Sequence, residues 1–229
     1  VEPLDSISQV GHGIWRVANR LFASNSYICA TGEPGACFLV DPGTDVEVIE
    51  VGLQHLGLQP RHIFCTHGHF DHVGSAAHFQ TKYGAPCYLH GLDLKTLRGG
   101  NFLMMAFRIP FSLKQPKVEE AEGLSMNIGG RELRFLTAPG HTPGSCLVQF
   151  GQALFTGDTL FGYGVGLSKL PEGDPATLKT TLLGFWDSLP GEALVLPGHG
   201  DCATFADIQR DNLPLLRFLG LLESSERER

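Results

Sequence analysis

The sequence predicts a mixed α/β (α+β) fold in a single domain, and three observations point to it. Short apolar runs bounded by glycine, proline and aspartate alternate with stretches of helical period through both halves of the chain. With 229 residues, 42% of them hydrophobic, the chain can bury a full core without a second domain. The histidines and aspartates with chemical potential fall just after predicted strands, where sheets flanked by helices gather their sites.

The elements follow in order. Residues 13–17, 26–29 and 36–40 read as strands, and Asp41-Pro42-Gly43 breaks the third. Val46, Ile49, Leu53 and Leu56 recur at helical spacing, which predicts a helix over 44–56 capped by Thr44. A short buried strand is expected at 62–65, a helix at 73–83 closed by Gly84, and another strand at 86–89. Gly129-Gly130 between 125–128 and 131–136 is a two-residue hairpin signal. Strands at 146–150 and 153–156, a helix at 175–189, a strand at 193–196 and a helix at 206–222 complete a unit spanning 1–222, and the charged residues 223–229 form a tail. The apolar stretch 101–111, with Met104 and Met105, has three readings: a lid or wall for an acyl or aromatic group, a buried helix, or the contact of a homodimer.

A formal net charge of -7 argues against a surface that tracks nucleic-acid phosphates. No apolar run approaches the roughly 18 to 20 residues that a membrane helix needs, and residues 1–9 lack a basic-then-apolar leader pattern. The six cysteines are scattered without a Cys-x-x-Cys pair, as expected for buried thiols in a reducing cytoplasm. The expectation is a soluble cytoplasmic protein.

The chemistry concentrates in Thr66-His67-Gly68-His69-Phe70-Asp71-His72, four metal-ligand side chains within six residues. Buried separately, three imidazoles and a carboxylate would each need a partner, whereas a divalent cation satisfies them together. Downstream, His141, Asp158 and His199 each have a glycine beside them, and seven donors are enough for two ions. Imidazole nitrogen with carboxylate oxygen and no thiolate points to zinc, with iron and manganese as alternatives.

His67-x-His69-x-Asp71-His72, Pro139-Gly140-His141-Thr142-Pro143-Gly144, Thr156-Gly157-Asp158-Thr159 and Pro197-Gly198-His199-Gly200, in that order, resemble the metallo-β-lactamase superfamily in its glyoxalase II-like (hydroxyacylglutathione hydrolase-like) branch. The resemblance runs from about Val10 to about Pro214, and Asp41 matches the aspartate that opens the series. It implies a four-layer αββα sandwich. It further implies that His67, His69 and His141 bind one metal and Asp71, His72 and His199 the other, with Asp158 bridging. In that scheme two Zn2+ ions acidify a shared water, and Asp71 orients the resulting hydroxide and passes its proton to the leaving group. Asp41 is expected to support a ligand rather than be one.

Single positions narrow the substrate. Asp158 stands where thiolate-using zinc β-lactamases carry cysteine, Phe161 where homoserine-lactone lactonases tend to carry tyrosine, and the histidine loop has no glutamate of the flavodiiron type. Gly166-Leu167, with Lys169 beyond, departs from the Gly-Arg or Gly-Lys of glyoxalase II, and with the folded unit expected to end near Leu222, the helical domain with which glyoxalase II grips glutathione is expected to be missing. The leading expectation is a binuclear hydrolase of a small-molecule or carrier-bound thioester or ester with an apolar acyl group. The alternatives are a mononuclear iron persulfide dioxygenase using His67, His141 and Asp158, a lactone hydrolase, and a binding module that metal merely braces.

Overall fold

The computed structural model describes residues 3–110, 112–168 and 170–222; the predicted tail 223–229 and Lys169 lie outside the described residues. In the first half, β1 (Ile7–Gly11), β2 (Ile14–Ala18), β3 (Asn25–Ala30) and β4 (Ala36–Val40) make an antiparallel meander. Helix α1 (Val46–Leu56) then crosses over to β5 (Gln59–Phe64), which is parallel to β4. After the short α2 (Phe70–Val73) and α3 (Ala76–Tyr83) comes β6 (Cys87–Leu89). Helix α4 (Leu94–Ala106) and β7 (Val118–Glu120) complete a seven-stranded sheet in sequential order.

The second half repeats the plan. A meander of β8 (Ser125–Ile128), β9 (Arg131–Thr137), β10 (Cys146–Phe150) and β11 (Ala153–Gly157) is followed by the crossover helix α5 (Pro175–Trp186) and the parallel strand β12 (Leu194–Pro197). The two-residue strand β13 (Ala203–Thr204) closes the edge, and α6 (Phe205–Asp211) and α7 (Leu213–Leu219) follow. In each half, the parallel pair is possible because a helix carries the chain back along the sheet.

Side-chain alternation along the strands builds the layers. In β4, Phe38 and Val40 join Phe64 of β5 in a cluster with Phe135, Phe150 and Phe155 of the other sheet, whereas Cys37 and Leu39 face Ile49, Leu53 and Phe79 of the helices. Strands buried on both faces read as the continuous apolar runs of the sequence. The outer face of the second sheet is covered by Leu178 and Leu182 of α5, Ile208 of α6 and Leu215 of α7. Two mixed sheets with flanking helices agree with the expected sandwich. No helix among the described residues is long and apolar enough to cross a membrane.

Several boundaries differ from expectation, each for a local reason. Helix α1 begins at Val46, not Thr44, whose hydroxyl finds no partner; the preceding Asp45 is engaged by the backbone and guanidinium of Arg20. The predicted helix 73–83 is interrupted at Gly74 and Ser75, where the Ser75 hydroxyl donates to the carbonyls of Pro42 and Gly43. The helix predicted to reach 189 ends at Trp186, since Pro190 disfavours helical geometry at Leu189. The predicted helix 206–222 is two helices. Pro214 cannot donate to residue 210 and its ring crowds that carbonyl, so Asn212 leaves helical geometry and caps α7 through the Leu215 N–H.

Candidate metal centre

All seven predicted ligand residues converge at one end of the sandwich. His67 and His69 lie on the loop leaving β5, and α2 then turns Asp71 and His72 inward, with the amides of His72 and Val73 bonded to the His69 carbonyl. From the second sheet, His141 follows β9, Asp158 follows β11 and His199 follows β12. Gly68 lets the first loop press on the start of α4: a Cβ there would stand 2.7 Å from the Asp93 carbonyl oxygen. A Cβ on Gly198 would likewise stand 2.6 Å from the His72 ring.

The donors form two adjoining groups. His69 Nδ1 is 3.1 Å from both His67 Nε2 and His141 Nε2. In the second group His72 Nε2 and His199 Nε2 are 3.3 Å apart, and Asp71 Oδ2 lies 3.5 Å from the first and 3.4 Å from the second. Asp158 stands between the groups: Oδ2 is 3.5 Å from His141 Nε2 and 3.4 Å from His199 Nε2, and Oδ1 is 3.5 Å from His72 Nε2. Donors around a tetrahedral ion with bonds of ~2.0–2.1 Å stand about 3.3 Å apart, the spacing seen within each group.

The electrostatics also fit a cation. Burial and the surrounding imidazoles push His67 and His69 below the ordinary histidine value, so both are neutral with a lone pair to offer. On the other side, burial opposes charge on His72 and His199, yet Asp158 and Asp71 outweigh it and raise them to about 9 and about 10. Burial alone would raise Asp158, but the imidazoles around it, His72 first, hold it well below the usual carboxylate range. Its buried Oδ1 makes no hydrogen bond. A buried carboxylate with one oxygen lacking a hydrogen bond, and with ring nitrogens from three loops around its two oxygens, is suited to a metal.

Two further aspartates hold the loops in place. Asp41, in left-handed geometry at φ 47, accepts the Thr66 amide at 2.7 Å and the Thr66 hydroxyl at 2.6 Å, and its Oδ2 meets His72 Nδ1 at 3.2 Å. With both oxygens engaged by Thr66 and one of them also meeting the outward nitrogen of His72, Asp41 braces the loop and fixes the orientation of the His72 ring. Asp93 accepts the amides of Gly68 and Gly144 and the hydroxyl of Thr142, each at 2.7 Å, and so ties the His67–His72 loop to the His141 loop. Sequence reasoning missed this role, and the only signal was an acidic residue three positions after His90. That histidine caps its own turn by accepting from the Leu92 amide. Cys65 is not a metal partner, since its thiol meets Cys87 at 3.8 Å within the sheet–helix core.

A cleft of about 410 Å³ is walled by Leu92, Phe102, Leu103, Pro143 and Pro171, with the polar Lys95, Thr96 and Glu172 also lining it, and it adjoins the donors through the contact of Glu172 with His69. Residues 94–106 form one wall: α4 buries Leu97 and Met104, whereas Phe102 is 67% exposed. Glu172, for which the sequence offered no signal, places Oε1 3.3 Å from His69 Nε2.

Comparison with known proteins agrees with this geometry. The chain is 35% identical over 180 residues to a hydroxyacylglutathione hydrolase of Anaeromyxobacter dehalogenans, covering 79% of this chain and 63% of that one. It is 31% identical over 204 residues to a probable metallo-hydrolase of Bacillus subtilis, covering 86% of this chain and 94% of the relative. The solved structure of TTHA1623 in a di-iron-bound form superposes with a TM-score of 0.77 at 35% identity, covering 86% of this chain and 98% of that one. The chain spans less than two thirds of the Anaeromyxobacter relative but nearly all of the Bacillus one. Since the family model for the Metallo-beta-lactamase superfamily matches residues 19–199, the stretch that carries all seven donors, the chain belongs to that superfamily.

Proposed function

We propose that the protein is a binuclear zinc-dependent hydrolase of thioesters or esters with an apolar acyl group. The observation that carries the reading is the position of Asp158 between two groups of donors, and the apolar cleft adjoins them through Glu172, which meets His69. His67, His69 and His141 would hold one ion, Asp71, His72 and His199 the other, and Asp158 both. A dinuclear centre supplies a water acidic enough to attack at neutral pH and a Lewis acid for the carbonyl.

The chain's own residues do the rest. Asp71 is the catalytic residue: its carboxylate, next to His72 and His199, orients the attacking water, takes a proton from it and passes that proton to the departing thiolate or alkoxide. Leu92, Phe102 and Pro171 receive the acyl group and exclude water from it. Imidazole and carboxylate donors without thiolate favour zinc, and the di-iron form of a similar solved protein makes iron the competing ion.

The test is turnover of lactoylglutathione, acyl-coenzyme A and acyl-carrier-protein thioesters, with simple esters alongside, by zinc-loaded protein. Hydrolysis that increases with the apolar length of the acyl group is expected. Turnover of none of them, or oxygen consumption with a persulfide by iron-loaded protein, contradicts the reading.

A further inference from the structure

We propose that Glu172 is a positioning residue for the metal centre, one that holds His69 in the tautomer and orientation in which Nδ1 faces the ion. The inference rests on the reading that His67, His69 and His141 hold a metal. His69 turns its two nitrogens to different tasks: Nδ1 lies 3.1 Å from His67 Nε2 and from His141 Nε2, whereas Nε2 points to Glu172 Oε1 at 3.3 Å. A neutral imidazole donates from one nitrogen and offers a lone pair from the other. An ionised carboxylate can only accept, so Glu172 fixes the proton on Nε2 and leaves the Nδ1 lone pair free.

The other two histidines of the group are fixed in the same way by uncharged atoms. His141 Nδ1 donates to the Gly166 carbonyl at 2.9 Å. His67 Nδ1 meets the Thr66 hydroxyl at 3.1 Å, and since that hydroxyl donates to Asp41, its oxygen is free to accept. Among the described residues, Glu172 is therefore the charged outer partner in direct contact with this group, and it adds negative charge where a cation would sit.

The backbone keeps Glu172 in place. The Gly173 amide donates to the Leu170 carbonyl at 3.1 Å, and the Asp174 amide donates to the Gly140 carbonyl at 2.8 Å, next to His141. Asp174 in turn caps α5 by accepting the amides of Ala176 and Thr177. One connecting segment, between β11 and α5, thus supplies the outer partners of both His141 and His69.

The experiment measures zinc affinity and stoichiometry of the full chain by competition with a chromophoric chelator, together with the absorption spectrum of the cobalt-substituted protein. The variants are Glu172→Ala, Glu172→Gln and, as a surface control, Glu132→Gln; the melting of each metal-free protein reports folding. Glu172→Ala is expected to weaken one of two ions about 10- to 100-fold and to shift the cobalt spectrum. Glu172→Gln keeps an acceptor oxygen and is expected to recover part of the affinity, and it remains informative if the alanine variant does not fold. Wild-type affinity for both ions with an unchanged spectrum in both Glu172 variants overturns the proposal alone. Wild-type protein that binds no zinc overturns it together with the reading on which it rests.

Discussion

Asp93 accepts the Thr142 hydroxyl at 2.7 Å, and through this contact the two halves of the sandwich share one buried carboxylate. The same side chain takes the Gly68 amide from the first half and the Gly144 amide from the second. The loop with four of the donors and the loop with His141 are thereby fixed to one anchor that need not touch the metal.

Removing that anchor is expected to destabilise the fold strongly. Asp93→Ala leaves two amides and a hydroxyl without an acceptor in a dry site, at a cost of about 3–5 kcal/mol. Asp93→Asn keeps one acceptor oxygen and costs less. Urea unfolding of the metal-free proteins checks the order; an alanine variant within about 0.5 kcal/mol of wild type contradicts the anchoring role.

A second buried carboxylate gives the fold a pH dependence away from the metal centre. Burial would raise Glu50, but the Lys82 ammonium at 2.6 Å, His78 Nε2 at 2.8 Å and the Tyr83 hydroxyl at 2.8 Å outweigh it and hold Glu50 below its ordinary value. A carboxyl with a depressed folded-state value stabilises the protein above its unfolded value of about 4.3, and the gain is lost as pH falls through the folded value. Wild type is therefore expected to exceed Glu50→Gln in stability at neutral pH, with the gap closing below about pH 4. Denaturant melts of the pair across pH provide the check, and a gap constant down to about pH 3 refutes the assignment.

The apolar wall makes a prediction about selectivity. Phe102 lines the cleft and is 67% exposed, so Phe102→Ala removes contact area with little loss of core packing. For long apolar acyl groups, kcat/KM is expected to fall about 5- to 30-fold, corresponding to roughly 1–2 kcal/mol of lost burial. Acetyl substrates should be nearly unaffected. An equal loss for both chain lengths would place the acyl group elsewhere.

The parts of this architecture that were legible in the sequence are those set by local rules. The strand 36–40, the hairpin at Gly129-Gly130 and the end of α3 at Gly84 follow from apolar runs and from glycines at positive φ. The convergence of seven His and Asp side chains on one place was legible because such residues, spaced closely or set beside glycine, have few uses other than a shared site. Asp93 and Glu172 were not, since each gains its role from partners 25 to 103 residues away. The break at Ser75 was also hidden, because it depends on side-chain bonds to backbone that helical periodicity does not report, whereas the break at Asn212 was marked in the sequence by Pro214. The stretch 101–111 stayed open since its apolar residues serve two ends: Met104 packs inside while Phe102 faces the cleft.

The proposed function requires a pair of ions held by two groups of donors that share Asp158, and metal stoichiometry reports on that pair without recourse to activity. Elemental analysis of the purified full chain after zinc reconstitution is expected to give about two ions in the wild type, with a loss of about one in His199→Ala and in His69→Ala. A wild-type value of about one that His199→Ala leaves unchanged would contradict the account, since the group of Asp71, His72 and His199 would then hold no metal.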